Sequence, residues 1–269
     1  MAFNEVAARV AVAFGALPAV EAVALAGSWR SGVADDRSDL DLYVYAAETP
    51  AIAERRAIAE GFARRWEVGN AFWEPGDEWI DAGSGVHVDV MYRDPRWIAE
   101  QLARVLVRHE ASLSYSTCFW HNVLHATPLF DRNGWYRGLQ AAARPYPEPL
   151  RRAIVARNHP VLRGTMSSYL AQLEKAVARG DGVSVQHRVT ALLASCFDIL
   201  FAVNRLPHPG EKRLLHVALT QWAILPDDFE GRVNALLGVA AQPASSAIVD
   251  RANALLDGLD DLLREERLL

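Results

Sequence analysis

Ala26-Gly27-Ser28-Trp29-Arg30-Ser31-Gly32, then Val33 to Arg37, then Ser38-Asp39-Leu40-Asp41-Leu42-Tyr43-Val44-Tyr45 is the stretch that decides the fold. Leu40 to Tyr45 is an apolar run with strand formers on alternate positions, and Val20 to Leu25 is a second short run that leads into Gly27-Ser28. Two strands flanking a polar turn are therefore expected. Asp39 and Asp41 stand two apart at the mouth of the second strand, so the pleat turns both carboxylates to one face, ~6.5–7 Å apart at the backbone. Leu40, Leu42 and Val44 then point to the opposite, buried face. A slip of one residue would bury both acids, which fixes the register.

Two hard carboxylates on one strand suit Mg²⁺, and a metal pair ~3.5–4 Å apart activates an attacking oxygen and steadies a leaving phosphate. Gly27-Ser28 closes the preceding strand, where a residue without Cβ lets backbone amides approach a phosphate and a hydroxyl can donate to it. A third acid is expected on a neighbouring strand. Val86-His87-Val88-Asp89-Val90-Met91-Tyr92 supplies it, with the valines on one face and His87, Asp89 and Met91 on the other.

Outward from this centre, residues 3 to 17 are expected to form an Ala-rich helix and residues 51 to 66 a second one. Trp66 to Trp73 and Val86 to Tyr92 read as extended. The order helix, strand, strand, helix, strand, strand describes an α+β domain with a mixed sheet flanked by helices. Asp94-Pro95 opens a further helix to about His109, and a mixed segment runs from there to a turn at Asp131-Arg132-Asn133-Gly134. Three prolines between Arg144 and Pro149 cannot continue a helix, which sets a linker at 144–149 between a domain at 1–143 and another at 150–269. Strand signals vanish after Leu150. The stripes Leu162/Tyr169/Leu173, Val189/Leu192/Leu193/Cys196/Phe197/Leu200 and Leu255/Leu256/Leu259/Leu262/Leu263 predict an all-helical bundle of four or five helices. No internal repeat is visible.

The chain of 269 residues is 51% hydrophobic and 23% charged, which places it among globular proteins and excludes collagen-like and low-complexity classes. Its 28 basic against 33 acidic residues leave a net charge of −5, which disfavours a broad nucleic-acid-binding surface. Cys118 and Cys196 lack the spacing of a structural zinc site. Glu5 and Arg9 interrupt the N-terminal apolar stretch, and Gly15, Pro18 and Glu21 break Val10 to Gly27 below the ~20 apolar residues of a membrane span. A cytoplasmic protein without a membrane partner is the expectation. Oligomeric state is left open.

Gly27-Ser28 with Asp39-Leu40-Asp41 and Asp89 resembles the nucleotidyltransferase superfamily that includes DNA polymerase beta and the antibiotic adenylyltransferases. The resemblance covers roughly the first half of the chain. The second half, with Phe201 to Leu215 reading FAVNRLPHPGEKRLL, is similar to the helical domain of small-molecule nucleotidyltransferases of the kanamycin and lincosamide type. Trp73-Glu-Pro-Gly-Asp-Glu-Trp79 and Pro209-Gly-Glu-Lys212 are similar to an uncharacterised bacterial group with a domain of unknown function. What the resemblance implies is a two-metal Mg²⁺ site on Asp39, Asp41 and Asp89, with Asp89 as third ligand or general base. It implies a nucleoside triphosphate, ATP foremost, held by Gly27, Ser28 and Ser38, with Arg30 and Lys212 as further phosphate contacts. An acceptor hydroxyl of a small molecule, an antibiotic in the obvious version, would attack the α-phosphorus and expel pyrophosphate. For Lys212 a solvated position after Pro209-Gly210 is an equal reading. Nucleotidylation of a protein or RNA partner, as in toxin-antitoxin systems, and a non-catalytic nucleotide-binding module are the alternatives.

Glu74, Asp77, Glu78 and Asp81 read as a Trp-bearing hairpin or loop. This is either an ordinary solvated turn or, through Glu74 and Glu78, a site for an amine-rich acceptor. His87 shares a face with Asp89 and is a candidate for touching substrate, against a structural role. His121 and His125 are four apart but have no Glu beside them as a metalloprotease needs, and packing or capping is the expected role. No Walker-type phosphate loop or dinucleotide fingerprint is present.

Overall fold

A computed structural model of the chain describes residues 2–26, 39–71, 74–243 and 245–269. The described residues form two compact units, one of residues 1–103 and 119–144, the other of residues 104–118 and 145–269. The protein is α+β, with its sheet in the first unit and helices alone in the second.

In the first unit α1 (Ala2–Gly15) leads into β1 (Val20–Leu25), β2 (Leu40–Ala46), α2 (Ile52–Phe62), β3 (Ala63–Asn70), β4 (Gly76–Asp81) and β5 (His87–Arg93). Then α3 (Pro95–Leu106) begins, and after the excursion through the second unit α4 (Cys118–His125), β6 (Thr127–Asp131) and α5 (Trp135–Ala142) complete the fold. The strands lie in the order β3-β4-β5-β2-β1-β6. Only β2 and β5 are parallel; the other described pairs are antiparallel.

The alternation read from the sequence is what the sheet uses. Leu40, Leu42, Val44, Val88 and Val90 are all buried against Val6, Val10 and Phe14 of α1 and Ala59 of α2. The 6/10/14 spacing puts one stripe of α1 on the sheet, each side chain contributing ~1.5–3 kcal/mol of burial. Gly15 ends that helix where a Cβ would lie 2.7 Å from the Phe130 ring of β6, too close for any side chain without movement. On the other face Tyr45 packs on Trp135 and Tyr136 of α5, and the Arg93 guanidinium lies 3.8 Å from the Tyr43 ring centre. That face is covered at the Tyr45 and Arg93 end of β2 and β5 and half-open at the Asp41 and Asp89 end.

Three elements differ from the sequence expectation. The helix foreseen over 51–66 stops at Phe62, because Ala63 turns extended and β3 pairs with β4 from there to Asn70. Asp77 and Asp81, read as part of a solvated turn or acceptor site, are on β4 and buried at 0% and 1% exposure. Asp77 accepts from Arg55 Nε at 2.9 Å and also from Arg55 Nη2, from the Gly69 amide at 2.8 Å and from the Tyr92 hydroxyl at 2.6 Å. Asp81 accepts from the amide and hydroxyl of Ser84. Ionic partners on the buried face let polar residues occupy positions that a hydrophobic pattern cannot reveal. β6, inside the segment read as mixed, was likewise unforeseen.

The second unit holds α6 (Glu148–His159), a π-helical turn (Pro160–Gly164), α7 (Tyr169–Ala178), α8 (Gly182–Val203), α9 (Leu214–Gln221), α10 (Phe229–Ala240) and α11 (Ala247–Glu265). That is six α-helices among the described residues where four or five were expected. Leu162 belongs to the π turn rather than to the helix of Tyr169 and Leu173, since Ser168 starts α7 afresh by accepting from the Ala171 amide. Central α8 is long and apolar enough to cross a membrane, yet it is largely buried among its neighbours and carries the buried Asp198.

Candidate functional site

Gly27, Ser28, Arg30 and Ser38 lie outside the described residues. The acids they were grouped with are described, and β2 and β5 bring them together. Asp41 of β2 and Asp89 of β5 are direct partners in the parallel register, so their side chains leave the same face on strands ~4.8 Å apart. Asp39 precedes β2 on that face with its side chain 58% exposed. Each position follows from the pleat: the intervening Leu40 and Val88 are fully buried, which forces the acids outward.

The row of acids continues beyond these three. Glu78 of β4 is the antiparallel partner of Asp89, and Glu67 of β3 is the partner of Glu78. Asn70 Nδ2 donates to Glu78 Oε1 at 3.2 Å. His87 sits between two of the carboxylates, with Nδ1 3.5 Å from Asp39 Oδ1 and Nε2 3.8 Å from Glu78 Oε2. Burial and the like charges of Asp41, Glu78 and Asp39 push the Asp89 carboxyl up to about 6, against the opposing influence of His87.

Not every candidate joins this group. Glu74 is held by Arg93, whose Nε and Nη2 donate to it at 2.9 and 2.8 Å, at the far end of β5 from His87. Its charge is spent on a buried guanidinium, so the acceptor role read for it finds no support in its surroundings. Lys212 is exposed in the second unit, on the turn before α9. Glu67 and Asn70 were missed although their stretch read as extended, because nothing in the sequence announces the pairing with β4 that sets them beside Glu78. His121 and His125 stack their rings 4.2 Å apart on α4.

Among the described residues no three His, Cys, Asp or Glu side chains converge on one point as a metal-binding group. The donor chemistry nevertheless fits a hard divalent cation. Asp41 and Asp89 offer carboxylate oxygens side by side, and Asp39 adds another on the same face.

No family model matches the sequence, and no curated protein matches it. Among solved structures, the chain is similar to a nucleotidyltransferase-like protein from Exiguobacterium sibiricum at 15% identity and a TM-score of 0.46, covering 97% of this chain and 75% of that one. It is also similar to the Thermotoga maritima CCA-adding enzyme, crystallised with tRNA, at 12% identity and a TM-score of 0.32, covering 98% of this chain and 81% of that one.

Proposed function

We propose that this protein is a Mg²⁺-dependent nucleotidyltransferase that moves a nucleoside monophosphate, AMP from ATP in the first instance, to a hydroxyl of a small molecule. The observation that carries the reading is the register of β2 and β5, which aligns Asp41 with Asp89 on one half-open face. Asp39 and Asp41 would hold Mg²⁺ with Asp89 as third ligand or general base, and bound metal supplies charge neutralisation for the triphosphate and its leaving group. Gly27, Ser28, Arg30 and Ser38 are the proposed phosphate contacts.

The chain's own residues then position and deprotonate. The acceptor oxygen attacks the α-phosphorus, the bond from that phosphorus to the bridging oxygen of the β-phosphate breaks, and pyrophosphate leaves with the electron pair. In the base role, a carboxylate oxygen of Asp89 takes the hydroxyl proton. Glu78 and His87 border the acids and would meet the acceptor. The negative charge of Glu78 suits an amine-bearing molecule such as an aminoglycoside- or lincosamide-like antibiotic. Calorimetric titration with non-hydrolysable ATP, GTP, CTP and UTP analogues in Mg²⁺ tests the reading. Metal-dependent binding that Asp41→Asn abolishes is expected; binding of no nucleotide, or binding indifferent to Asp41, would overturn it.

A further inference from the structure

β3 forms one edge of the sheet, and among the described residues no strand pairs with its outer side. The opposite edge, β6, is blunted by Pro128, which has no amide hydrogen to offer a further strand. β3 has no such block. Arg64, Arg65, Trp66, Glu67 and Gly69 are all exposed, Trp66 by 42%. Irregularities in its pairing with β4 fall between Ala63 and Arg65 and between Val68 and Asn70, which leaves Arg65 to Val68 as a regular stretch. Within it Arg65 and Glu67 share the face of the acid row, and Trp66 and Val68 share the other.

We propose that this edge pairs antiparallel with the same edge of a second copy of the chain, about a two-fold axis through Trp66. Charge complementarity selects both the occupant and the register. An antiparallel edge pair related by a two-fold has its axis along the sheet normal, so facing residues must leave the same face. With the axis at Trp66, Arg65 faces the partner's Glu67 and Glu67 faces the partner's Arg65, while the two Trp66 rings meet on the other side. Moving the axis to Arg65 or to Glu67 sets two like charges face to face, which destabilises a cross-strand pair. Charged side chains are a usual guard on sheet edges. Here the guard is self-complementary in one register and self-repelling in its nearest alternatives. The partner's Arg65 would end the row Asp41, Asp89, Glu78, Glu67 with a cation. This inference stands on β3 alone and is independent of the nucleotidyltransferase reading.

Sedimentation velocity of the full chain between about 1 and 100 μM tests it, with far-UV circular dichroism to verify folding. The native protein is expected to shift from monomer to dimer across that range. Arg65→Glu and Glu67→Arg, each alone, are expected to weaken association by about tenfold or more, since each turns two attractions into two repulsions. Mixing the two single variants restores opposite charges at both pairs and is expected to bring the dimer back. A chain that stays monomeric throughout, a dimer indifferent to both variants, or a mixture that fails to associate would each overturn the proposal.

Discussion

Two aspartates of the same sheet show how little residue type decides alone. Asp41 leaves the half-open face beside Asp89, while Asp77 is fully buried among Arg55, Tyr92 and the Gly69 amide. Asp41→Asn is expected to abolish metal-dependent nucleotide binding while shifting urea-unfolding stability by less than about 1 kcal/mol, as surface substitutions do. Asp77→Ala removes the counter-charge of a buried guanidinium, and the same urea titration is expected to show a loss of about 3–5 kcal/mol. Equal stability of the two variants would contradict this division. Asp39, Asp41 and Asp89 were legible because each interrupts a run of Leu or Val with the period of a strand. Asp77 was not, because what buries it is a partner 22 residues earlier that no local pattern announces.

Elements were legible where their burial is apolar and illegible where it is polar. α1, β1, β2 and β5 carry hydrophobic stripes of the right period and lie where the sequence puts them. β4 alternates between a buried row in which Asp77 and Asp81 flank Trp79 and a half-buried row of Glu78 and Ile80, so it offered no apolar stripe. The end of α1 depends on a distant residue as well. The Arg132 guanidinium donates to the carbonyls of Val20 at 2.9 Å, Gly15 at 3.1 Å and Leu17 at 3.2 Å, tying helix terminus, turn and β1 to the end of β6. Arg132→Ala leaves these acceptors without their donor and is expected to cost about 1–3 kcal/mol by thermal or urea unfolding. No measurable change would show that water replaces the guanidinium at no cost.

For the whole molecule, the sequence showed a sheet-bearing half and a helical half, but the second unit also claims residues 104–118. That segment carries few apolar anchors and is held by polar ones. The amide and hydroxyl of Ser116 donate to Asp198 at 3.0 and 2.6 Å, the Ser114 amide donates to Asn158, and Thr117 accepts from the His208 amide. Two groups of this network give the unit opposing pH dependences. Burial pushes the Asp198 carboxyl up to about 6, so its contribution to stability is full below pH 3.8 and is lost as the pH rises through about 6. Burial pushes the His208 imidazole down to about 4, so its contribution is full above pH 6.5 and is lost as the pH falls through about 4. Each is worth about 3 kcal/mol, and in the shared window they offset each other. Asp198→Asn removes one side of this balance. Between pH 4 and 6 the stability of the variant relative to the native protein is expected to rise by about 2 kcal/mol, measured by urea unfolding at each pH. A parallel pair of curves would contradict it.

The central claim is that Asp41 and Asp89 form one cation site that nucleotide completes. Mn²⁺ reports this most directly, because free and bound ion are distinguished by electron paramagnetic resonance without any need for an acceptor. With a non-hydrolysable ATP analogue present, the native protein is expected to take up Mn²⁺ beyond what the analogue alone binds, and Asp41→Asn and Asp89→Asn are each expected to lose that uptake while remaining folded. Mn²⁺ uptake identical in the native protein and both variants would contradict the account.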